Sequence, residues 1–382
     1  MTIKGREFQL SQSTLLLKGG TVIDPASRVN GKMDVLVKDG KIANVAVSIE
    51  APAGAKVIDL TGKYISAGWI DLHTHVTGDL MGNGVEPDEA GITTGTTTVV
   101  DAGSVGAVNI KGFRRYVISS AKTRVVVYLN GAMSKSVLKG NYTDIRNVNL
   151  KAGLKAVEEN ADVVKGIKML ASITQVGNNG IEPIKIGKKL ARLAGLPLMV
   201  HVGNAPPILE DVLNLMDQGD IITHAFHGKP GGILDRNGQP LPEAVEARKR
   251  GVWFDVGHGS ASLAFSTFKK AMAAGFGADS ISTDLHIRNI KGPVFDMATT
   301  MSKFLAMGLS LEKVIDLSSH MPAVIAGIPG GSLAVGSVAD VTAFEVLDQE
   351  ATLEDSEGAS MQVSRLLKPV LTVLGGEQVW PA

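Results

Sequence analysis

The sequence contains no cysteine among its 382 residues. Disulfide bonds, thiolate metal sites and cysteine nucleophiles are therefore excluded, and any metal must be bound by histidine, carboxylate or a modified side chain. The chain also has no net charge at neutral pH, because 38 lysines and arginines balance 38 aspartates and glutamates. No overall field attracts nucleic acid or an anionic membrane, so we expect a small-molecule substrate and neither of those partners.

Long apolar runs are also lacking. No stretch approaches the roughly 20 apolar residues that span a bilayer. Residues 1–12 are polar and lack the apolar run, about 7–15 residues long, of a signal peptide. We therefore expect a cytoplasmic protein. Hydrophobic residues make up 44% of the chain, which is typical of a globular protein with a large core.

The central part of the chain alternates short apolar runs with helix-like segments such as residues 151–160, 184–194, 208–218 and 263–274. The apolar runs lie at residues 69–72, 97–100, 124–128, 163–167, 197–200, 221–223, 252–256 and 280–283. Eight such units predict an α/β fold with a (β/α)8 TIM barrel, which usually needs about 250 residues. An open, doubly wound sheet is the alternative, because periodicity does not reveal closure. The predicted barrel spans residues 66–330.

The two ends of the chain have a different pattern, with short strands joined by turns. An Asp39-Gly40 pair between two apolar runs predicts a β-hairpin in the first segment. Residues 340–344 and 369–374 are predicted strands in the last. Each end is too short to bury a core alone. We therefore expect residues 1–65 and 331–382 to pair into one small β-sandwich domain.

Seven of the eight histidines fall at or just beyond the carboxyl end of a predicted strand. They are His73, His75, His201, His224, His227, His258 and His286. In a barrel this end carries the active site, because the loops after the strands converge there. A single buried histidine is most often a hydrogen-bonded core residue, but seven histidines at one face of the barrel indicate a functional site.

The most specific motif is His73-Thr74-His75. Side chains alternate along a strand, so both imidazoles point toward the barrel interior and can hold one ion such as Zn²⁺. His201 and His224 end the fifth and sixth strands and supply two more imidazoles. Asp284 ends the eighth, where a carboxylate beside two metals can bind one of them and also accept a proton from water.

Lys168 lies near the end of the fourth strand. Chemistry alone leaves two interpretations open, a role in the site or a side chain that reaches solvent along its aliphatic stem. Its neighbour Lys165 lies on the opposite face of the strand and is expected to point outward.

At these residues the sequence resembles the amidohydrolase superfamily, in its binuclear branch with a carbamylated lysine. The matching segments are VKGIKM (164–169), DVGHG (255–259) and STDLH (282–286). The likeness covers nearly the whole chain, including the split terminal domain and GSVAD (336–340). It is strongest to the amidohydrolase/deacetylase group, which is often labelled dihydroorotase-like.

The resemblance implies two divalent metal ions, which we expect to be Zn²⁺. His73, His75 and Asp284 would hold the more buried ion. His201 and His224 would hold the more exposed one.

The resemblance also implies that Lys168 bridges the two ions as a carbamate made from CO2. A carbamate replaces a cation, which two metals would repel, with an anion that offers two oxygen ligands. A water activated by the metals would then attack the scissile carbonyl. Asp284 would act as general base and then as general acid.

These features predict a metal-dependent hydrolase of an amide or ester bond, and we favour deacetylation of a small N-acetyl or O-acetyl acid. A dihydroorotase-like cyclic-amide hydrolase is the alternative. Those enzymes typically place a carboxylate-binding arginine two residues after the metal-binding H-x-H motif, where this chain has Thr77.

A deaminase is disfavoured, because such relatives generally use one metal and do not need the lysine. A non-catalytic assembly protein is also disfavoured, because all six candidate ligands are present.

Other polar residues on this face are candidates for substrate binding. His227 and Lys229 lie in a glycine-rich loop after the sixth strand, which either holds a substrate anion or is simply solvated. His286 is predicted to hydrogen-bond the substrate, and Arg288 could bind a carboxylate. His258 could support the metal ligands from outside. Barrels of this kind commonly self-associate, so we expect a homo-oligomer.

Overall fold

The computed structural model describes residues 13–134 and 140–381. The expectation about a missing signal peptide concerns residues 1–12 and lies outside the described residues. Within the described ranges, no helix has the length and apolar character needed to cross a membrane. The described strands form two separate sheets.

The first sheet is built from both ends of the chain. Its strands are β1 (Thr14–Asp24), β2 (Val29–Lys38), β3 (Lys41–Ala46), β4 (Lys56–Asp59), β5 (Tyr64–Ala67), β13 (Val341–Glu354), β14 (Ser360–Leu374) and β15 (Glu377–Trp380). The strand order is β15-β14-β13-β5-β1-β2-β3, and β4 pairs with β1. The two ends thus pair as expected. They form one hydrogen-bonded sheet where a sandwich was predicted, because β5 pairs with β1 on one side and with β13 on the other.

This sheet has its own hydrophobic cluster, which includes Leu17, Val35 and Val341. The predicted hairpin is confirmed between β2 and β3. Asp39 and Gly40 both have positive φ, 50° and 71°. Two consecutive left-handed residues match the twist of the flanking strands.

The second sheet is parallel and holds seven strands in chain order. They are β6 (Trp69–Thr74), β7 (Thr96–Ala102), β8 (Arg124–Asn130), β9 (Val164–Ala171), β10 (Leu198–Val202), β11 (Ile221–Thr223) and β12 (Trp253–Asp255). All seven residues of β7 are buried. Apolar strands of this kind suit a parallel sheet that is covered on both faces.

Helices follow the strands of the parallel sheet. Those in the described residues are α1 (Pro87–Ala90), α2 (Ile110–Phe113), α3 (Leu150–Glu159), α4 (Ile173–Val176), α5 (Glu182–Ala194), α6 (Leu209–Leu215), α7 (Pro242–Lys249), α8 (Phe265–Ala273), α9 (Met297–Ala306), α10 (Leu311–Ser318) and α11 (His320–Ala326). The four helices that the sequence predicted are confirmed as α3, α5, α6 and α8, with α6 ending earlier than expected.

The predicted eighth strand, residues 280–283, is not a regular strand in the structure. Its segment makes one bridge to β12, between Asp255 and Ser280, and another to β6, between Thr74 and Leu285. Its carbonyl groups accept backbone N–H groups from the loop after β12, such as that of Val256. Its own N–H groups do not pair with a neighbouring strand, because Ile281 N–H donates to Leu317 O at 2.8 Å and Thr283 N–H donates to Asp71 Oδ1 at 3.0 Å.

The β13–β14 hairpin is longer than the sequence predicted. Only Val341–Phe344 of β13 pairs with β5, and the rest of the hairpin extends away from that sheet. The backbone N–H of Leu367 donates to Ser302 Oγ of α9 at 2.9 Å, so the hairpin lies against the helices of the parallel sheet. Its tip, residues 355–359, contacts the loops at the carboxyl ends of the parallel strands.

A buried ion pair joins the two sheets. Arg124, at the start of β8, donates through both terminal nitrogens to the carboxylate of Asp340, which precedes β13. The same carboxylate accepts the backbone N–H of Gly375 at 2.9 Å. Asp340 is 2% exposed and the Arg124 side chain 16%. A partly buried cation and a backbone donor therefore depend on one carboxylate.

We expect Asp340→Ala to lower the free energy of unfolding by about 3 kcal/mol, because breaking a buried pair leaves its partner's charge uncompensated. Urea titration followed by circular dichroism measures the change. Arg146→Ala, which breaks the exposed pair with Asp144, is the control and should leave the midpoint unchanged. Equal midpoints for both variants would contradict this assignment.

Candidate metal centre

Three side chains from two neighbouring segments meet at the carboxyl end of the parallel sheet. His73 lies near the end of β6, His75 directly follows that strand, and Asp284 belongs to the segment that bridges β6 and β12. Asp284 Oδ1 lies 3.4 Å from His73 Nε2 and 3.2 Å from His75 Nε2. The H-x-H motif thus presents both imidazoles to one carboxylate, and their binding of one ion stays a prediction.

His224 and Lys168 approach the same point from β11 and β9. His224 Nε2 lies 3.9 Å from Asp284 Oδ2, and Lys168 Nζ lies 3.3 Å from His73 Nε2. One ligand atom from each of His73, His224 and Asp284 falls within a group whose members are all within 4.8 Å of one another. These three side chains could hold a metal ion.

His201, on β10, completes the set. Its ring packs edge-on against that of His224, with 4.4 Å between centroids. His201 is only partly buried, whereas His224 is 1% exposed. The structure therefore gathers all six predicted ligands, and their division between two ions stays a prediction.

Each of three imidazoles is held at Nδ1. His73 Nδ1 lies 2.8 Å from Thr223 Oγ1, and His75 Nδ1 lies 2.7 Å from Ser104 Oγ. His224 Nδ1 lies 2.7 Å from the carbonyl oxygen of Gly257. A histidine that binds metal through Nε2 usually donates its Nδ1–H to such a partner, which fixes the ring.

The partners also fix the tautomers. The carbonyl of Gly257 can only accept, so His224 carries its proton on Nδ1. Thr223 Oγ1 donates to Asp255 Oδ2 at 2.7 Å, so it accepts from His73. In both rings the lone pair is therefore left on Nε2, the nitrogen that faces Asp284.

His73, His201 and His224 are neutral at physiological pH, because burial lowers the pKa of each. Burial lowers the pKa of His224 to about 3. Burial, together with nearby Lys168, also holds the pKa of His73 well below its usual value. Burial raises the pKa of Asp284, but the hydrogen bond from His75 Nε2 lowers it, and the pKa lies well below its usual value, so the carboxyl group is ionised. Neutral imidazoles and an anionic carboxylate are the forms that bind a divalent cation.

Two of these residues have left-handed backbones. His224 has φ 68° and Asp284 has φ 49°. Non-glycine residues seldom adopt this conformation, which costs of order 1–3 kcal/mol and persists mainly where surrounding structure enforces it. Here the backbone N–H of Asp284 donates to His73 O at 2.6 Å, which ties the strained residue to the H-x-H strand.

Among the predicted substrate-binding residues, His227 and Lys229 lie beside the cluster. His227 is buried, and its Nδ1 accepts the backbone N–H of Lys229 at 3.1 Å. The ring therefore stabilises the loop to which it belongs. Burial lowers the pKa of Lys229, whereas the charges of Glu357 and Asp284 favour its ammonium form.

His286 and Arg288 lie in the segment that follows Asp284. The ring of His286 is 6.3 Å from that of His75. The exposed guanidinium of Arg288 donates to Asn83 Oδ1 at 3.0 and 3.1 Å. Of the two, His286 is nearer to the metal ligands, and the substrate-binding roles of both stay predictions.

The sequence analysis missed the residues that orient the imidazoles. Ser104 and Thr223 each occupy the carboxyl end of a strand or the loop just after it. Asp255 lies beneath them and accepts hydrogen bonds from Thr223, Ser280 and Ser282. A buried aspartate that ends an apolar strand was the available signal for this network.

Comparisons with known sequences and with solved structures indicate the same protein family. The sequence pattern of the Amidohydrolase family matches residues 64–379. A deacetylase of Enterococcus faecalis is 38% identical over 95% of this chain and 98% of that protein. A deacetylase of Brucella anthropi is 37% identical over 91% of this chain and 87% of that protein.

Solved structures are similar over the same length. The crystal structure of an adenine deaminase is 38% identical, with a TM-score of 0.91, and covers 96% of this chain and 99% of that one. The crystal structure of a dihydroorotase is 35% identical, with a TM-score of 0.87 and the same coverage. These proteins are named for different reactions, so the fold alone does not select one.

We expect Thr223→Val to lower metal affinity about 10- to 100-fold, because His73 loses the acceptor that orients its ring. Metal content after equilibration against a competing chelator measures the change. Thr97→Val is the matched control, since Thr97 donates to Trp69 O at the opposite end of the strands. Unchanged affinity in Thr223→Val would show that the hydroxyl does not orient His73.

Proposed function

The chain belongs to the amidohydrolase family, and on that basis we propose that it is a metal-dependent hydrolase that removes an acetyl group from a small N-acetyl or O-acetyl acid. The observation that carries the proposal is the meeting of neutral imidazoles with the anionic Asp284 at the carboxyl end of the parallel sheet. The deacetylase relatives, which this chain matches over nearly their full length, support the choice of bond.

The metal-binding part of the proposal involves two divalent ions, Zn²⁺ in our assignment. When bound, they would supply Lewis-acid polarisation of the scissile carbonyl and lower the pKa of a water molecule. The ligands would be His73, His75, Lys168, His201, His224 and Asp284.

Asp284 is the proton carrier in this proposal. It is ionised, so it can accept a proton from the attacking water and return it to the leaving group. Asn289 Nδ2 donates to Asp284 O at 2.9 Å, and together with the bond to His73 this holds the backbone in place. A base that is held rigidly needs little reorganisation when the proton moves.

Lys168 would take part as a carbamate. Lys168 is 1% exposed and its Nζ lies 3.3 Å from His73 Nε2, so an ammonium there would oppose any cation that the imidazoles hold. Carbamylation removes that charge and adds two oxygen ligands in a cluster that lacks thiolates.

The substrate's acid group would lie near Lys229. Lys229 lies close enough for its charge to lower the pKa of both His201 and His224, which supports this role. A lysine ammonium attracts a carboxylate without demanding one orientation. His286, beside His75, would contact the acyl side of the substrate.

The main alternative is ring opening of a cyclic amide, as the dihydroorotase structure suggests. Thr77 argues against it. Its side chain is buried, and its Oγ1 donates to Met81 O at 3.5 Å, so it points into its own loop. No arginine clamp therefore occupies the position where a dihydroorotase-like site would need one.

Three further parts of the proposal go beyond the described contacts. Residues 280–285 would close the parallel sheet into an eight-stranded barrel, since they bridge both of its edge strands. The enzyme would be a cytoplasmic protein and a homo-oligomer.

The direct test is acetate release by the zinc-loaded protein from a panel of N-acetyl and O-acetyl amino and hydroxy acids. We expect turnover that a chelator abolishes and Zn²⁺ restores. Dihydroorotate and adenine, assayed for ring opening and for ammonia, serve as competing substrates. Turnover of either one, with silence on every acetyl compound, would replace the deacetylase assignment.

We expect Lys168→Ala to lose bound metal and activity together, because the bridging ligand is gone. Lys165→Ala is the matched control on the same strand, since Lys165 Nζ donates to Ala161 O in an exposed position. Metal analysis and acetate release measure the two effects. Full activity in Lys168→Ala would overturn the carbamate assignment.

A further inference from the structure

The tip of the β13–β14 hairpin reaches the loop that follows β12. Ser356 Oγ lies 2.9 Å from His258 O and 2.8 Å from Gly259 O. The backbone N–H of Ser356 donates to Leu263 O at 2.9 Å. The adjacent Asp355 accepts the N–H of Phe265, the first residue of α8, at 2.9 Å. The hairpin tip is therefore bonded to this loop at several points.

The loop that the tip contacts lies directly against two candidate metal ligands. Gly257 O accepts the Nδ1–H of His224, and a Cβ on Gly259 would lie 2.5 Å from Asp284 Oδ2. Gly257 and Gly259 have φ of 50° and 55°, a backbone conformation that residues with side chains rarely adopt. A side chain at either position would therefore be strained. A shift of this turn would move the ring of His224. It would also change how closely the backbone of Gly259 approaches Asp284.

A second support holds the same turn from the other side. Lys303 Nζ, on α9, lies 2.8 Å from His258 Nε2 and 2.6 Å from Pro293 O. Both His258 and Lys303 are fully buried. Gly259 O can only accept, so His258 carries its proton on Nδ1, which lies 2.9 Å away, and the Lys303 amine donates to Nε2. The turn is thus held between α9 and the hairpin tip.

We propose that Ser356 is a positioning residue: it fixes the turn 257–259 and, through that turn, sets the orientation of His224 and the position of Asp284. The terminal sheet would then contribute to the metal centre from a part of the chain far from every ligand. The kinetic consequence rests on the proposed function, whereas the effect on metal geometry does not need a substrate.

The test uses the full chain loaded with Co²⁺, whose visible spectrum reports ligand geometry. We expect Ser356→Ala to alter the spectrum, to release metal to a chelator about 10-fold faster, and to lower kcat about 10-fold with KM nearly unchanged. Ser356→Thr, which keeps the hydroxyl, should restore all three. Gln362→Ala, which removes an exposed bond to Thr352 on the same hairpin, is the control and should match the unaltered protein.

The outcomes separate the two proposals. A Ser356→Ala protein with an unchanged cobalt spectrum and metal release would overturn the role of Ser356 and leave the proposed function standing. The same changes in Gln362→Ala would also overturn it, because the effect would then come from general loosening of the hairpin. An unaltered protein that binds no cobalt would overturn the proposed function and this inference together.

Discussion

Imidazole rings that are buried together must direct their lone pairs into one small volume without carrying positive charge. In this protein the Nδ1 bonds of His73 and His224 meet that condition, because each of the two fixes both the ring and the position of its proton. The condition extends outward from the rings. Thr223 can accept from His73 only because it donates to Asp255, and Asp255 tolerates burial only because hydroxyl groups donate to it. The polar network therefore determines which nitrogen faces the ligand cluster.

The candidate ligands must also lie close together, and the fold meets this second requirement. Parallel strands end at one edge, so residues far apart in sequence meet there without long loops. Regular strand geometry stops where the site begins. Asp71 binds the backbone of residue 283 in place of a neighbouring strand, and His224 and Asp284 have left-handed backbones. The strained positions coincide with the candidate ligands, as expected where packing and hydrogen bonds hold a functional geometry.

Sequence pattern was sufficient for the repeating strands and helices and for the gathered ligands, because both depend on local periodicity and on strand ends. It was insufficient for residues 280–283, because local pattern does not show that the N–H groups of Ile281 and Thr283 donate to Leu317 O and to the Asp71 side chain. It also missed the length of the β13–β14 hairpin. Residues 350–358 are polar and acidic, and their pairing depends on contacts with α9 and the loop after β12 that no local pattern records.

The position of this hairpin in the chain has a consequence for biosynthesis. Every candidate ligand has been translated once residue 284 is added, yet the turn beside His224 gains its outer support only when Ser356 follows. The sheet that carries the hairpin also needs strands from both ends of the chain. Such distant pairings form late, because a long loop must close first. The nascent chain therefore contains every candidate ligand before the outer support of this turn has been made, and its amino-terminal strands cannot complete their sheet until the carboxyl-terminal strands follow.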